Sequence, residues 1–244
     1  MTKSVLITGA TRGLGAALAR QFASRGYRVA ITGRKGDELD ALQAELAVHA
    51  PQTCSRVLDV TDYSAIAGVL EDCAQELNGL DIVVANAGVG FATPVGTGAF
   101  AQARMTIDVN LTAAIATCEA AVELFRKQGS GHLVGITSVA KVRGMRAQGA
   151  YSASKAGFAT YLESVRVETW DEPVVVTELA PGYIDTDLNR AVEKRPFLVS
   201  AEKGTGIMAD LIERQVAFRY VPPGPWTFMA GIMRLLPVSM LRKM

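Results

Sequence analysis

The sequence predicts an α/β fold built on one doubly wound parallel sheet. Three observations predict it. Short apolar runs alternate with helix-patterned segments along all 244 residues. Most of these runs are unbroken Val/Ile/Leu stretches, as strands covered on both faces require. No linker or repeat divides the chain, so a single domain spanning 1–244 is expected.

The strands are placed at 4–7, 28–32, 55–58, 81–85, 132–137, 174–179 and 217–221. Helices at 14–24, 38–48, 63–76, 111–126, 151–168 and 201–213 lie between or beside them. Asp62 and Ser200 are expected N-caps, because their side-chain oxygens can accept the open N–H groups of a first turn. Strands alternating with helices imply right-handed βαβ crossovers and a Rossmann-type sheet of about seven strands. Such sheets bind ligands beyond the carboxyl ends of their strands.

Composition sets bounds. Hydrophobic residues make up 49% and charged residues 20%, an ordinary globular balance. The net charge of +1 offers no basic footprint for nucleic acid. Cys54, Cys73 and Cys118 form no CxxC and no zinc pattern, so buried thiols in a reducing cytosol are expected. Met1-Thr2-Lys3 runs straight into a strand with no signal-peptide core, and a cytoplasmic location follows as an expectation.

The first strand, Val5-Leu6-Ile7, leads into the glycine turn Thr8-Gly9-Ala10-Thr11-Arg12-Gly13-Leu14-Gly15. Glycines there permit a tight turn and close approach of a pyrophosphate to backbone N–H groups at a helix N-terminus. A tight strand-to-helix turn without a ligand would look the same. No Gly-Lys-Ser/Thr follows, so the turn is not a nucleoside-triphosphate loop. Further on, Tyr151 and Lys155 stand four apart, one helical turn on the same face. A carbonyl that accepts a hydride becomes an alkoxide and needs a proton. Tyrosine can supply it, and a nearby ammonium shifts the phenol toward its ionised form.

In the order and spacing of these motifs the chain resembles the short-chain dehydrogenase/reductase family in its short single-domain form. The likeness rests on the glycine turn, Asp59, Asn86-Ala87-Gly88, Asn110, Ser138, Tyr151, Lys155 and Pro181-Gly182, and it covers nearly the whole chain. The resemblance implies an oxidoreductase in which Tyr151 is the general acid/base. Ser138 would donate a hydrogen bond to the substrate oxygen. Lys155 would also bind the nicotinamide ribose, and Asn110 would support Lys155 through a water. It further implies that Asp59 and Val60 meet the adenine edge, and that Asn86, Ala87 and Gly88 pack around the adenine ribose. Ile184 and Thr186, after Pro181-Gly182, would reach the nicotinamide carboxamide. Residues 187–199 would form a substrate lid.

Cofactor choice follows from charge. An acid after the second strand binds a ribose 2′-OH, whereas arginine there accommodates a 2′-phosphate. Gly33 stands where the acid would be and Arg34 follows, with Arg12 in the glycine turn as a second cation. NADP(H) is therefore expected over NAD(H). The resemblance implies a small-molecule carbonyl or alcohol substrate. Phe91, Met145, Leu188 and Phe197 are candidate apolar lining, and Arg143 and Arg146 are either solvated or turned toward an acidic group. His49 and His132 are the only histidines, and His132 lies at the wrong strand end for catalysis. No Gly-x-Ser-x-Gly elbow is present, against an esterase. A nucleotide-sensing protein that had lost catalysis is the other alternative, and the intact Ser138, Tyr151 and Lys155 argue against it.

The C-terminal segment 226–244 is apolar, is interrupted by Arg234 and Pro237, and carries Arg242-Lys243 near its end. It falls short of the roughly 20 apolar residues that span a bilayer. A helix bent near Pro237 is expected. It either packs on the domain or a partner subunit, or lies on a membrane surface. The resemblance also implies at least a homodimer, paired through helices 111–126 and 151–168.

Overall fold

A computed structural model describes residues 2–190 and 192–242. Its centre is a seven-stranded parallel sheet: β1 (Ser4–Ile7), β2 (Arg28–Gly33), β3 (Thr53–Val57), β4 (Ile82–Ala85), β5 (Gly131–Ile136), β6 (Val174–Pro181) and β7 (Phe218–Val221). The spatial order is β3-β2-β1-β4-β5-β6-β7. The order reverses between β1 and β4, where a ligand crevice forms in such sheets. The glycine turn follows β1 and Asn86-Ala87-Gly88 follows β4, so both lie at that crevice.

Alternate side chains of each strand point to opposite faces, and each face is covered by helices. Val5, Ile7, Val29 and Ile31 face α1 (Gly13–Ser24), α2 (Gly36–Ala47) and α7 (Ala201–Glu213), meeting Leu18, Phe22, Leu39 and Met208. Leu6, Ala30, Val83 and Leu133 face α3 (Tyr63–Glu76), α5 (Ala113–Gln128) and α6 (Gly149–Glu168), meeting Leu70, Cys118, Phe125 and Phe158. This two-sided burial is why the strands read as unbroken apolar runs. The three cysteines are buried free thiols.

Several boundaries differ from the sequence reading. β3 begins at Thr53, where Cys54 pairs with Ala30, and β6 continues to Pro181, which pairs with Val221. The helix expected from residue 111 begins earlier, as α4 (Phe100–Ile107), and passes through a π turn at Asp108–Thr112 into α5. α4 buries only Thr106, so it carries no apolar stripe to read. Ser200 caps α7 as expected, accepting from Lys203 N–H at 3.2 Å. Asp62 occupies the cap position of α3, but its carboxylate accepts from Ser64 Oγ at 2.7 Å instead of a backbone N–H. Phe100–Gln128 is the one described helical run long and apolar enough to cross a membrane, and it packs against the sheet through Cys118, Ala121 and Phe125.

The C-terminal segment is α8 (Pro223–Leu235) and the short α9 (Val238–Leu241), separated at Leu236-Pro237 by extended backbone. The bend near Pro237 is as expected. Lys243 and Met244 lie outside the described residues. One side of α8 is buried through Trp226, Ala230 and Met233. The Trp226 indole lies directly on Gly182, where an added Cβ would come within 2.0 Å of its Nε1. The rings of Phe197 and Tyr183 flank it at centroid distances of 5.5 and 5.9 Å. Arg143 does not greet a substrate: its guanidinium donates to the Met233, Arg234 and Leu236 carbonyls and closes the C-terminus of α8. Trp226→Ala is therefore expected to cost about 3–5 kcal/mol, as for other buried tryptophans. Truncation after Pro225 should destabilise the chain further. Urea unfolding of both variants checks this, and an unchanged midpoint would show that α8 is not part of the fold.

Candidate active site

The glycine turn is locked to the β4 loop. Thr8 Oγ1 accepts from the Asn86 and Ala87 N–H groups, both at 3.1 Å. Asn86 Nδ2 donates to the Thr8 carbonyl at 2.8 Å and to that of Gly9 at 3.3 Å. A Cβ on Gly9 would sit 2.8 Å from Ala87 Cα, and one on Gly15 would sit 2.5 Å from the Gly9 carbonyl. These two glycines thus serve contacts within the protein before any ligand is considered. Gly13 opens α1 with φ +58°, and no side chain caps that helix. Its first N–H groups are left for an anion, which is the fit a pyrophosphate requires.

Arg34 and Arg12 are exposed at this end of the sheet. A Cβ on Gly33 would lie 2.6 Å from Thr11 Cγ2, so Thr11 fills the space that an acid at 33 would enter. Asp59 is held below the usual carboxylate range by the Thr61 N–H and hydroxyl, with the Arg34 charge assisting. Val60 behind it is buried.

Ser138 follows β5 and starts a short 3₁₀ turn. Its hydroxyl accepts from Ala140 N–H at 3.1 Å and reaches the Pro181 carbonyl at 3.5 Å. Tyr151 and Lys155 lie on α6. Lys155 is buried, and its Nζ donates to the Ile136 carbonyl at 2.8 Å. Burial lowers its pKa to about 8. The Tyr151 phenol moves up from its ordinary value because it is buried; the Ser138 hydroxyl draws it down and neighbouring Tyr183 pushes it up. The lowering by Lys155 expected from spacing alone is therefore not what governs Tyr151 in this structure. Burial wins because it desolvates both groups, leaving the phenol in its protonated, donor form at neutral pH.

Asn110 is fully buried in the π turn. It clamps the backbone of Val89, accepting from its N–H and donating to its carbonyl, both at 2.8 Å. A Cβ on Gly88 would lie 3.3 Å from Asn110 Oδ1 and 3.7 Å from Lys155 Nζ, so both groups border one spot beside Gly88.

The loop after β6 closes the crevice. Thr186 faces Gly13, 3.7 Å from the position of its missing Cβ. Ile184 is different: its side chain is buried against Gly204. Only its backbone can serve the carboxamide contact expected of it. Leu188 lies over Gly90, with Tyr151 beside it. Phe91 and Met145 are half-buried, while Phe197 is spent on Trp226. Arg146 is exposed. His132 is buried at the other end of the sheet, shares a 2.8 Å hydrogen bond with Thr177 Oγ1, and is pushed down to about 4 by burial.

Sequence reasoning missed one cluster. Glu178 accepts from Lys141 Nζ at 2.5 Å and from Thr137 Oγ1 at 2.6 Å, and Lys141 also lies over the Phe218 ring. The cluster braces both sides of Ser138. A lone carboxylate in the apolar strand Val174–Pro181 was the signal for it.

Comparison with known proteins agrees with this arrangement. The family model described as short chain dehydrogenase matches residues 3–196. An uncharacterized oxidoreductase of Mycobacterium tuberculosis is 37% identical over 244 residues, covering 99% of this chain and 96% of its own. One from Myxococcus xanthus is 38% identical over 213 residues, covering 87% and 84%. The structure of an alcohol dehydrogenase from Thermococcus sibiricus, complexed with 5-hydroxy-NADP, superposes with a TM-score of 0.80 at 25% identity, covering 90% of this chain and 95% of that one. The glycine turn, the Ser138–Tyr151–Lys155 register and these matches lead to one conclusion: the chain belongs to the short-chain dehydrogenase/reductase family of oxidoreductases.

Proposed function

We propose that this protein is a cytoplasmic, NADP(H)-dependent carbonyl reductase or alcohol dehydrogenase with Tyr151 as its general acid/base. The observation that carries the proposal is the convergence of Ser138, Tyr151 and Lys155 at the carboxyl end of β5, beside the crevice between β1 and β4. NADP(H), when bound, supplies or takes up the hydride. Ser138 and Tyr151 hold the substrate oxygen by hydrogen bonds, and Tyr151 delivers its proton as charge develops there. Lys155, with a depressed pKa, can replenish that proton or bind the ribose. The Gly13 turn and the first N–H groups of α1 hold the pyrophosphate, with Asn86, Ala87, Gly88, Asp59 and Val60 lining the adenosine side. Thr186 and the Ile184 backbone hold the carboxamide. Leu188 and Gly90 bound the apolar mouth. NADPH absorbance over a panel of aldehydes, ketones and alcohols, with NADH in parallel, tests the reading.

Arg34 and Arg12 support NADP(H), since a guanidinium pair suits a 2′-phosphate. Arg34→Ala should weaken NADPH about ten- to hundredfold and leave NADH nearly unchanged, given roughly 1.5–3 kcal/mol for a hydrogen bond to a charged group. Reversing the preference needs Gly33→Asp together with Thr11→Ala, because Thr11 Cγ2 obstructs the new side chain. Fluorescence titration of both cofactors checks this, and a wild type that prefers NADH would refute the phosphate clamp.

The same reading includes a homodimer paired through α5 and α6. Ala113, Ala114 and Phe158 face the core and Ala120 packs against it, so the outer faces with Glu119 of α5 and Ala153 and Ala156 of α6 are offered instead. Light scattering should give at least twice the chain mass of 25.9 kDa; a monomer at high concentration would contradict it.

A further inference from the structure

The C-terminal helices carry a second apolar face that no other described part of the chain covers. Phe228 is 72% exposed, Leu235 86%, Val238 73% and Met240 54%. On α8 the exposed positions Thr227, Phe228, Gly231, Arg234 and Leu235 recur every three or four residues, so they form one side of the helix. The opposite side is the one buried through Trp226, Ala230 and Met233. The helix is thus apolar on both sides, and only one side has a partner.

Charge identifies the missing partner. Glu213 is the last acidic residue of the sequence, and beyond it come Arg214, Arg219, Arg234, Arg242 and Lys243 with no carboxylate side chain. Arg234 and Arg242 border the apolar face and are exposed. Among the described residues neither forms an ion pair. A second copy seated on this face about a twofold axis would bring the same uncompensated cations together. An anionic surface that also accepts apolar side chains removes both problems. With 13 residues, α8 is too short to span a bilayer but suited to lie in its plane.

We propose that this face docks on an anionic lipid bilayer. Phe228, Leu235, Val238 and Met240 enter the boundary between headgroups and acyl chains, and Arg234 and Arg242 meet the anionic headgroups. Docking there sets the lid beside the bilayer, because Phe197 of the lid packs edge-on against Trp226 of the same helix. Packing on the domain and lying on a membrane are therefore properties of two different sides of one helix.

Co-sedimentation of the full chain with extruded vesicles tests this, comparing phosphatidylglycerol/phosphatidylcholine mixtures with phosphatidylcholine alone. The protein should pellet with the anionic vesicles and much less with the neutral ones, and added salt should release it. Phe228→Ser with Leu235→Ser should weaken the partition at least about tenfold, and Arg234→Ser about fivefold. All three positions are exposed, so the far-ultraviolet circular dichroism and unfolding midpoint of these variants should match wild type. Failure to pellet with anionic vesicles at millimolar lipid overturns the proposal. So does binding that neither variant weakens, or self-association abolished by the double variant while vesicle binding is absent.

Discussion

Tyr151→Phe is expected to lower turnover by about two to four orders of magnitude, the usual worth of a positioned proton donor, while leaving NADPH binding unchanged. The substitution keeps the half-buried ring and removes only the hydroxyl. In this structure that hydroxyl sits beside Ser138 and is held protonated by burial, the state a reductase requires of its acid. Steady-state rates alongside a fluorescence titration separate the two effects. Near-normal turnover in the variant would remove Tyr151 from the chemistry; equal losses of turnover and cofactor affinity would make its role structural.

Glu178→Gln destabilises the fold by about 3–5 kcal/mol, the range seen when one partner of a buried ion pair is removed. Both side chains of the pair are nearly enclosed, at 14% exposure for Lys141 and 8% for Glu178. The variant leaves the Lys141 ammonium without its countercharge. At about 2–4 °C per kcal/mol for a chain of this size, the melting temperature falls by roughly 10 °C. Lys141→Met combined with Glu178→Leu should recover much of the loss, since an apolar pair of similar volume is often neutral or better. Urea and thermal unfolding of the single and double variants check this. A single variant within 0.5 kcal/mol of wild type would mean that the pair is already solvated.

The sheet was legible because a strand covered on both faces must be apolar at every position, which produces seven distinct runs. The gathering of Ser138, Tyr151 and Lys155 at one end of the sheet was legible because one strand end and the spacing within one helix place them there. What stayed hidden depends on distant parts of the chain. Nothing local shows that Thr11 fills the space beside Gly33, that Trp226 lies on Gly182, or that Arg143 closes α8. α4 was missed because it buries only one residue. Helical spacing reports the distance between Tyr151 and Lys155 but not the burial that raises the phenol's pKa in this structure. The C-terminal segment offered two readings because both sides of α8 carry apolar residues, and only the burial pattern tells the covered side from the exposed one.

The proposed reaction is hydride transfer between NADP(H) and a carbonyl carbon at the Ser138–Tyr151–Lys155 site. Its most direct test supplies the protein with NADPH deuterated at one or the other face of nicotinamide C4, together with a panel of aldehydes and ketones, and reads the alcohols by mass spectrometry. The expected product is an alcohol carrying one deuterium from one face only, formed by wild type and nearly absent with Tyr151→Phe. Tight NADPH binding with no labelled alcohol from either face across the panel would contradict it and leave a nucleotide-binding protein without this chemistry.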